Sequence, residues 1–163
     1  MDIRYESLAE GHRRPVIDIF NHYIENGYAA FPEHRVPYEF FDMFLSMTRG
    51  YPAAAILSGA NEVIGFGFLR AHNPLPAFKK TAELTCFLRH DMIRNGIGGR
   101  TLDYLESGAR ERSITILLAG ISSLNGPSIA FHEKNGFTRC GAFAGIGTKF
   151  GTDFDVVWMQ KNI

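Results

Sequence analysis

The chain has 163 residues, 45% of them hydrophobic and 21% charged, with 17 Lys+Arg against 17 Asp+Glu. That length suits one domain over residues 1–163, and the composition is globular rather than disordered. Zero net charge argues against a protein held on nucleic acid by phosphate contacts. Two cysteines, Cys86 and Cys140, exclude a disulfide framework and fit a reduced, cytoplasmic setting with both thiols packed as small hydrophobes. The start, Met1-Asp2-Ile3-Arg4, has no apolar signal core, and no apolar run approaches the ~20 residues that span a bilayer.

In chain order, Ile3 and Tyr5 alternate with polar residues and predict a short strand over 2–7. Val16, Ile17, Ile19, Phe20, Tyr23 and Ile24 recur at helical spacing and Gly27 follows as a stop. Pro37 opens a second helical pattern that carries Phe40, Phe41, Phe44 and Leu45 on one side. Strands are predicted at 53–57, 63–71 and 81–88, with the prolines of His72-Asn73-Pro74-Leu75-Pro76 breaking the ladder between the last two. A helix over 97–111, a β-branched strand over 114–119 and a helix over 125–135 come next, and strands over 137–144 and 153–159 finish the chain. This β-α-α-β-β-β-α-β-α-β-β order predicts a mixed α/β (α+β) fold, one sheet with helices on both faces.

The stretch Arg94-Asn95-Gly96-Ile97-Gly98-Gly99-Arg100 lies between a strand and an amphipathic helix whose apolar side carries Leu102, Leu105 and Ala109. A helix N-terminus offers unpaired N–H groups and partial positive charge, and glycines let backbone approach an anion. The pattern suits a pyrophosphate. It is not a Walker A loop, because Gly99-Arg100-Thr101 lacks the Gly-Lys-Ser/Thr ending. Nor is it a dinucleotide fingerprint, because Thr101 stands at the third glycine and the next strand carries no carboxylate. The plain alternative is a helix entry that uses glycines only to turn.

Further on, Asn125-Gly126-Pro127-Ser128 opens a helix that runs to His132-Glu133-Lys134-Asn135-Gly136-Phe137. Asn125 suits the N-cap and Gly136 the stop, and Ser128 and His132 fall one turn apart on one face.

Together these two stretches resemble the GNAT acetyltransferase superfamily: Arg94-x-x-Gly96-x-Gly98 its acetyl-CoA pyrophosphate loop, and Asn125-x-x-Ser128-x-x-x-His132 its second cofactor motif. Thr81-Ala82-Glu83, Phe20-Asn21-His22-Tyr23-Ile24, Gly145 to Gly151 and Asp155-Val156-Val157-Trp158-Met159-Gln160 resemble the phosphinothricin acetyltransferase family within it. The resemblance implies a GNAT fold, a mostly antiparallel twisted sheet with a splayed central strand pair. It implies direct transfer of an acetyl group from acetyl-CoA to a small primary amine, such as an amino acid analogue, with no metal. It also implies a homodimer. The backbone of Cys86, Phe87 and Leu88 would hold the pantetheine like an added strand, Arg94, Asn95, Gly96, Ile97, Gly98 and Gly99 the pyrophosphate, and Asn125 and Ser128 the pantetheine arm.

By the same resemblance Glu83 matches the general base, and His132 stands where other superfamily members carry a Tyr facing the departing thiolate. Apolar Phe78 and Phe87 near Glu83 would raise its pKa, as a base at neutral pH needs. The alternative is an exposed strand carboxylate or an ion pair with Lys79 or Lys80. For His132 the alternative is a helix histidine bonded locally. Cys86 reads as packing. The acceptor pocket is expected to draw on Phe31, Phe78 and Phe87, with Leu75 in place of the arginine that herbicide-acetylating relatives carry in this loop. Loss of that guanidinium removes a bidentate carboxylate clamp and predicts poor acetylation of phosphinothricin. The rival reading is a module that binds acyl-CoA without catalysis.

Overall fold

Alternation along the strands gives the sheet two apolar faces, and the helices divide between them. In the computed structural model, which describes residues 1–163, the strands are β1 (Ile3–Ser7), β2 (Ala53–Ser58), β3 (Val63–Ala71), β4 (Thr81–Leu88), β5 (Ile116–Ser122), β6 (Thr138–Lys149) and β7 (Thr152–Asn162). The helices are α1 (Arg13–Glu25), α2 (Phe41–Met47), α3 (Ile97–Glu111) and α4 (Gly126–Lys134). The strands form one sheet in the order β1-β2-β3-β4-β5-β7-β6. Every neighbouring pair is antiparallel except β4 and β5.

On one face Phe66 and Phe68 of β3 meet Val16, Ile17, Phe20 and Ile24 of α1 and Phe41 and Phe44 of α2. On the other, Leu69, Ala82, Leu117 and Met159 of the sheet meet Leu102, Leu105 and Ala109 of α3 and Ile129 of α4. Phe41, Phe66 and Phe68 are almost wholly buried, each contributing about 1.5–3 kcal/mol of apolar burial. The predicted helices on both faces are therefore present, and the apolar side of α3 is the one read from its sequence.

Several boundaries move. The strand expected over 114–119 runs over Ile116–Ser122, because Ser113 adopts φ 58° in the turn after α3 and Ile114 to Thr115 are spent leaving that turn. Pro37 does not begin a helix directly. It precedes a 3-10 turn over Tyr38–Phe40, which leads into α2. The last two strands are longer than predicted, because Gly147 and Lys149 pair with Phe154 and Thr152 and extend the hairpin through the glycine-rich run. Cys140, expected to be packed, is exposed, because no helix covers the outer edge strand β6.

The feature that positions the site is a fork. β4 and β5 pair at only three registers, Thr81↔Ile116, Ala82↔Leu117 and Glu83↔Leu118. Beyond Glu83, β4 continues alongside β3 to Gly65↔Leu88, while β5 continues alongside β7 to Ser122↔Val156. This is the expected splayed strand pair.

Candidate active site

Glu83 stands at the last paired register before the fork, on the α1/α2 face. Arg70 lies directly opposite it on β3, and its Nη2 contacts Glu83 Oε2. The other oxygen, Oε1, accepts a hydrogen bond from His72 Nδ1 at 3.0 Å. Opposite charges facing each other across an antiparallel pair are worth about 0.2–1 kcal/mol. His72 in turn meets the ring of Phe78 at 5.9 Å and that of Trp158 at 6.4 Å, both edge to face. Gly120 lets Trp158 lie across β5, since a Cβ there would stand 3.2 Å from the indole.

These surroundings correct two expectations. Glu83 is ion-paired, but to Arg70, and is hydrogen-bonded to His72, because the strand register brings β3 rather than the Lys79-Lys80 turn to its side. The apolar pocket expected around it is replaced by donors. Phe78 reaches only His72, and Phe87, two positions beyond Thr85 on the same face, packs into the core against Phe20, Tyr23 and Phe66.

On the open side of β4, Tyr23 Oη donates to Leu88 O at 2.6 Å and fixes the strand end. Burial pushes the Cys86 thiol up to about 12. The thiol is therefore held protonated at neutral pH and is a poor nucleophile, although Cys86 is only partly buried.

The glycine turn enters α3 with Arg94 at φ 65° and Gly96, its N-cap, at φ 73°. Both are left-handed, a conformation natural only to the glycine. The first intrahelical bond is Arg100 N–H to Gly96 O at 3.3 Å, so Ile97, Gly98 and Gly99 keep N–H groups that the helix does not use. The Ile97 side chain anchors the turn among Ile56 and Ile64. A Cβ at Gly98 would stand 3.0 Å from Phe131 on α4, so the turn and α4 are adjacent.

Asn125 caps α4, its Oδ1 accepting from Ser128 N–H at 3.3 Å. One turn on, His132 is buried between Phe131 and Phe137. Its Nδ1 donates to Ser128 O at 2.7 Å and lies 3.4 Å from Ser128 Oγ. Burial lowers its pKa from the ordinary value of 6.5, with the Ser128 carbonyl opposing. The ring is therefore neutral at pH 7, with Nε2 as its acceptor nitrogen.

The segment after α1 carries Phe31, which is expected in the acceptor pocket. Phe31, half-exposed, stacks on Phe154 with centroids 5.8 Å apart. Behind it Lys149, fully buried, donates from Nζ to Ile24 O, Gly27 O and Ala30 O at 2.7, 2.7 and 2.8 Å. Burial lowers its pKa from 10.5 and Glu33 opposes. All three ammonium hydrogens are matched, tying the β6–β7 turn to this segment. Leu75 and Phe78 are exposed in the loop before β4.

The structure thus brings together Asn125, Ser128, His132 and the glycine turn around the fork, with Glu83 at its base. It does not place Phe31 beside Phe87. Sequence reading missed Arg70, His72 and Lys149 as functional candidates. Arg70 continues the Phe66-Phe68 alternation, which signals its face, but only strand register shows its partner.

The Acetyltransferase (GNAT) domain family model matches residues 32–158. The chain is 32% identical over 115 residues to an L-methionine sulfoximine/L-methionine sulfone acetyltransferase of Pseudomonas aeruginosa, a match covering 71% of this chain and 67% of that protein. It is 30% identical over 149 residues to a phosphinothricin N-acetyltransferase of Streptomyces viridochromogenes, covering 90% of this chain and 80% of the relative. Among solved structures, a phosphinothricin acetyltransferase from Sinorhizobium meliloti in complex with acetyl-CoA has a TM-score of 0.93 at 24% identity, covering 100% of this chain and 89% of that one, a likeness of fold.

Proposed function

The chain belongs to the GNAT acetyltransferase family and is an acetyl-CoA-dependent N-acetyltransferase, and on that premise we propose that its acceptor is an α-amino acid analogue with an uncharged polar side chain, such as methionine sulfone. The observation that carries this reading is Glu83 at the base of the fork, where β4 and β5 part, with the N–H groups of α3 that the helix does not use at the open end of β4. The likeness to the Pseudomonas aeruginosa enzyme supports the acceptor class. So do the exposed apolar Phe31, Leu75 and Phe78.

In this reading residues 1–163 act as one domain. Arg94, Asn95, Ile97, Gly98 and Gly99 hold the pyrophosphate around the left-handed Gly96, and the Cys86–Leu88 stretch borders the pantetheine through the alternate backbone groups that β3 does not bond. Asn125, whose Oδ1 is engaged as a cap, and Ser128 border the pantetheine arm. Phe31, Leu75, Phe78 and Trp158 border the acceptor, and Phe87 supports the floor from the core.

Glu83 takes one proton from the acceptor ammonium. The amine nitrogen then attacks the thioester carbonyl, forming the C–N bond, and collapse of the adduct breaks the C–S bond. The second nitrogen-borne proton passes to the departing sulfur. A neutral His132 with Nδ1–H engaged can accept that proton at Nε2 and return it to the thiolate.

We further propose a cytoplasmic homodimer. The dimer is supported by the 12-residue edge strand β6, exposed almost throughout, with Phe143 and Ile146 outward, and the compartment only by the absence of a disulfide framework. An unpaired apolar edge of that length is a template for a second copy.

The test is release of free CoA thiol on mixing the protein and acetyl-CoA with a panel of amino acid analogues and simple amines. Thiol release with methionine sulfone supports the reading. Acetyl-CoA binding without release across the whole panel would reassign the chain to acyl-CoA binding without transfer.

A further inference from the structure

The two oxygens of Glu83 are claimed by partners of different character. His72, which holds Oε1, is fixed between Phe78 and Trp158. Arg70, which holds Oε2, is half-exposed and makes no other ion pair or side-chain hydrogen bond within the chain. Its remaining guanidinium donors are therefore unclaimed within the chain, beside the candidate base. The loop before β4 offers no guanidinium, since Leu75 is apolar, and Lys79 and Lys80 make no ion pair.

We propose that Arg70 is the residue that recognises the acceptor's carboxylate, and that it does so by exchanging Glu83 Oε2 for it. The inference rests on the reading of Glu83 as the proton acceptor. An α-amino acid carries its ammonium and carboxylate on one carbon. Arg70 and Glu83, facing each other across one strand pair, present the complementary charges at comparably short range. When the carboxylate takes the guanidinium, a single-point contact is replaced by a two-point one. The Glu83 oxygen so released lies beside the ammonium that must lose its proton, while His72 keeps the carboxylate oriented through the other oxygen. Substrate binding and exposure of the base become one event, and an amine without a carboxylate leaves Arg70 on Glu83. The competing account is that Arg70 is a strut that only braces Glu83 across the strands.

The experiment compares L-methionine sulfone with 3-(methylsulfonyl)propan-1-amine, the same skeleton without the carboxylate. Acetylation kinetics and calorimetric binding in the presence of CoA are measured for the wild-type chain, Arg70→Met and Arg70→Lys. The expected result is a wild-type preference for the amino acid that falls roughly 10–100-fold in Arg70→Met, mainly through KM, and by less in Arg70→Lys. Acetyl-CoA affinity and melting temperature report that the variants fold. An equal loss on both acceptors, or a wild type that binds both equally, makes Arg70 a strut and overturns the proposal. Carboxylate-dependent binding that Arg70→Met abolishes, with no turnover in any variant, upholds the clamp and sinks the catalytic reading instead.

Discussion

Gly98 on α3 lies against the ring of Phe131 on α4, so close that a Cβ on the glycine would stand 3.0 Å from Cε2. The helix whose first amides are left unused by its own backbone is thus set directly against the helix that carries His132. The glycine is needed for the helix contact as well as for any approaching phosphate.

Adding side chains along this turn separates the two needs. Gly98→Val drives a branched side chain into Phe131 and should lower stability by about 1–3 kcal/mol and weaken acetyl-CoA binding. Adding Phe131→Leu should return part of the stability. Gly96→Ala meets no neighbour but must hold φ 73°, at a cost of about 1–2 kcal/mol. Thermal melts and calorimetric titration with acetyl-CoA read both. A double variant no more stable than Gly98→Val alone would show that the ring contact is not what the glycine serves.

Glu83→Gln keeps the shape of the side chain and removes the proton acceptor. We expect kcat to fall ~10²–10⁴-fold with acetyl-CoA affinity unchanged. Turnover at the wild-type rate between pH 6 and 9 would transfer the proton to another group.

His132 links stability to pH. Burial holds its folded pKa below the unfolded value of 6.5, so between the two values the unfolded chain binds the extra proton. Its contribution to stability is full above pH 6.5 and is lost as pH falls through and below that value. His132→Phe should flatten this part of the melting-temperature profile between pH 5.5 and 7, and should slow turnover if the imidazole carries the second proton. An identical slope in wild type and variant assigns the acid sensitivity elsewhere.

Lys149→Met retains most of the side chain's length and leaves the Ile24, Gly27 and Ala30 carbonyls without their donor. Each buried polar group stripped of a partner costs about 1–3 kcal/mol, so this should be among the most destabilising single changes in the chain. In protein that still folds at reduced temperature, the segment bearing Phe31 should loosen and the acceptor KM should rise more than the acetyl-CoA Kd. A KM for acceptor that does not move would separate Lys149 from acceptor binding.

Leu75→Arg would add a guanidinium to the loop before β4. Phosphinothricin carries a second anionic group beyond its amino acid head, and the wild-type loop has no guanidinium to match it, only the flexible point charges of Lys79 and Lys80. We expect poor wild-type kcat/KM for phosphinothricin relative to methionine sulfone, and a gain in Leu75→Arg. Efficient wild-type acetylation of phosphinothricin would show that another cation already serves that group.

Much of the scaffold was legible because it is written in local patterns. The spacing of Leu102, Leu105 and Ala109 marked the buried side of α3, and Asn125 and Gly136 marked the ends of α4. The glycine turn was recognisable because left-handed backbone and free amides need a particular residue type at a particular place. What could not be read is long-range. Arg70 and His72 reach Glu83 only because β3 and β4 pair in one register, and a shift of one residue would turn every side chain to the other face. Lys149 reads as one more exposed hairpin residue until its chain partner, the segment 24–30, is known.

The fork has a consequence for the sheet itself. From Leu84 to Leu88, β4 is bonded to β3 on one side only, so alternate peptide groups there face an opening where a neighbouring strand would normally lie. Without a ligand, those amides should exchange with deuterium far faster than their neighbours bonded to β3. A ligand that fills the opening with its own amides closes the seam, so protection at these positions and the melting temperature should rise together on binding. In this sense the sheet is one strand short, and a bound molecule finishes it.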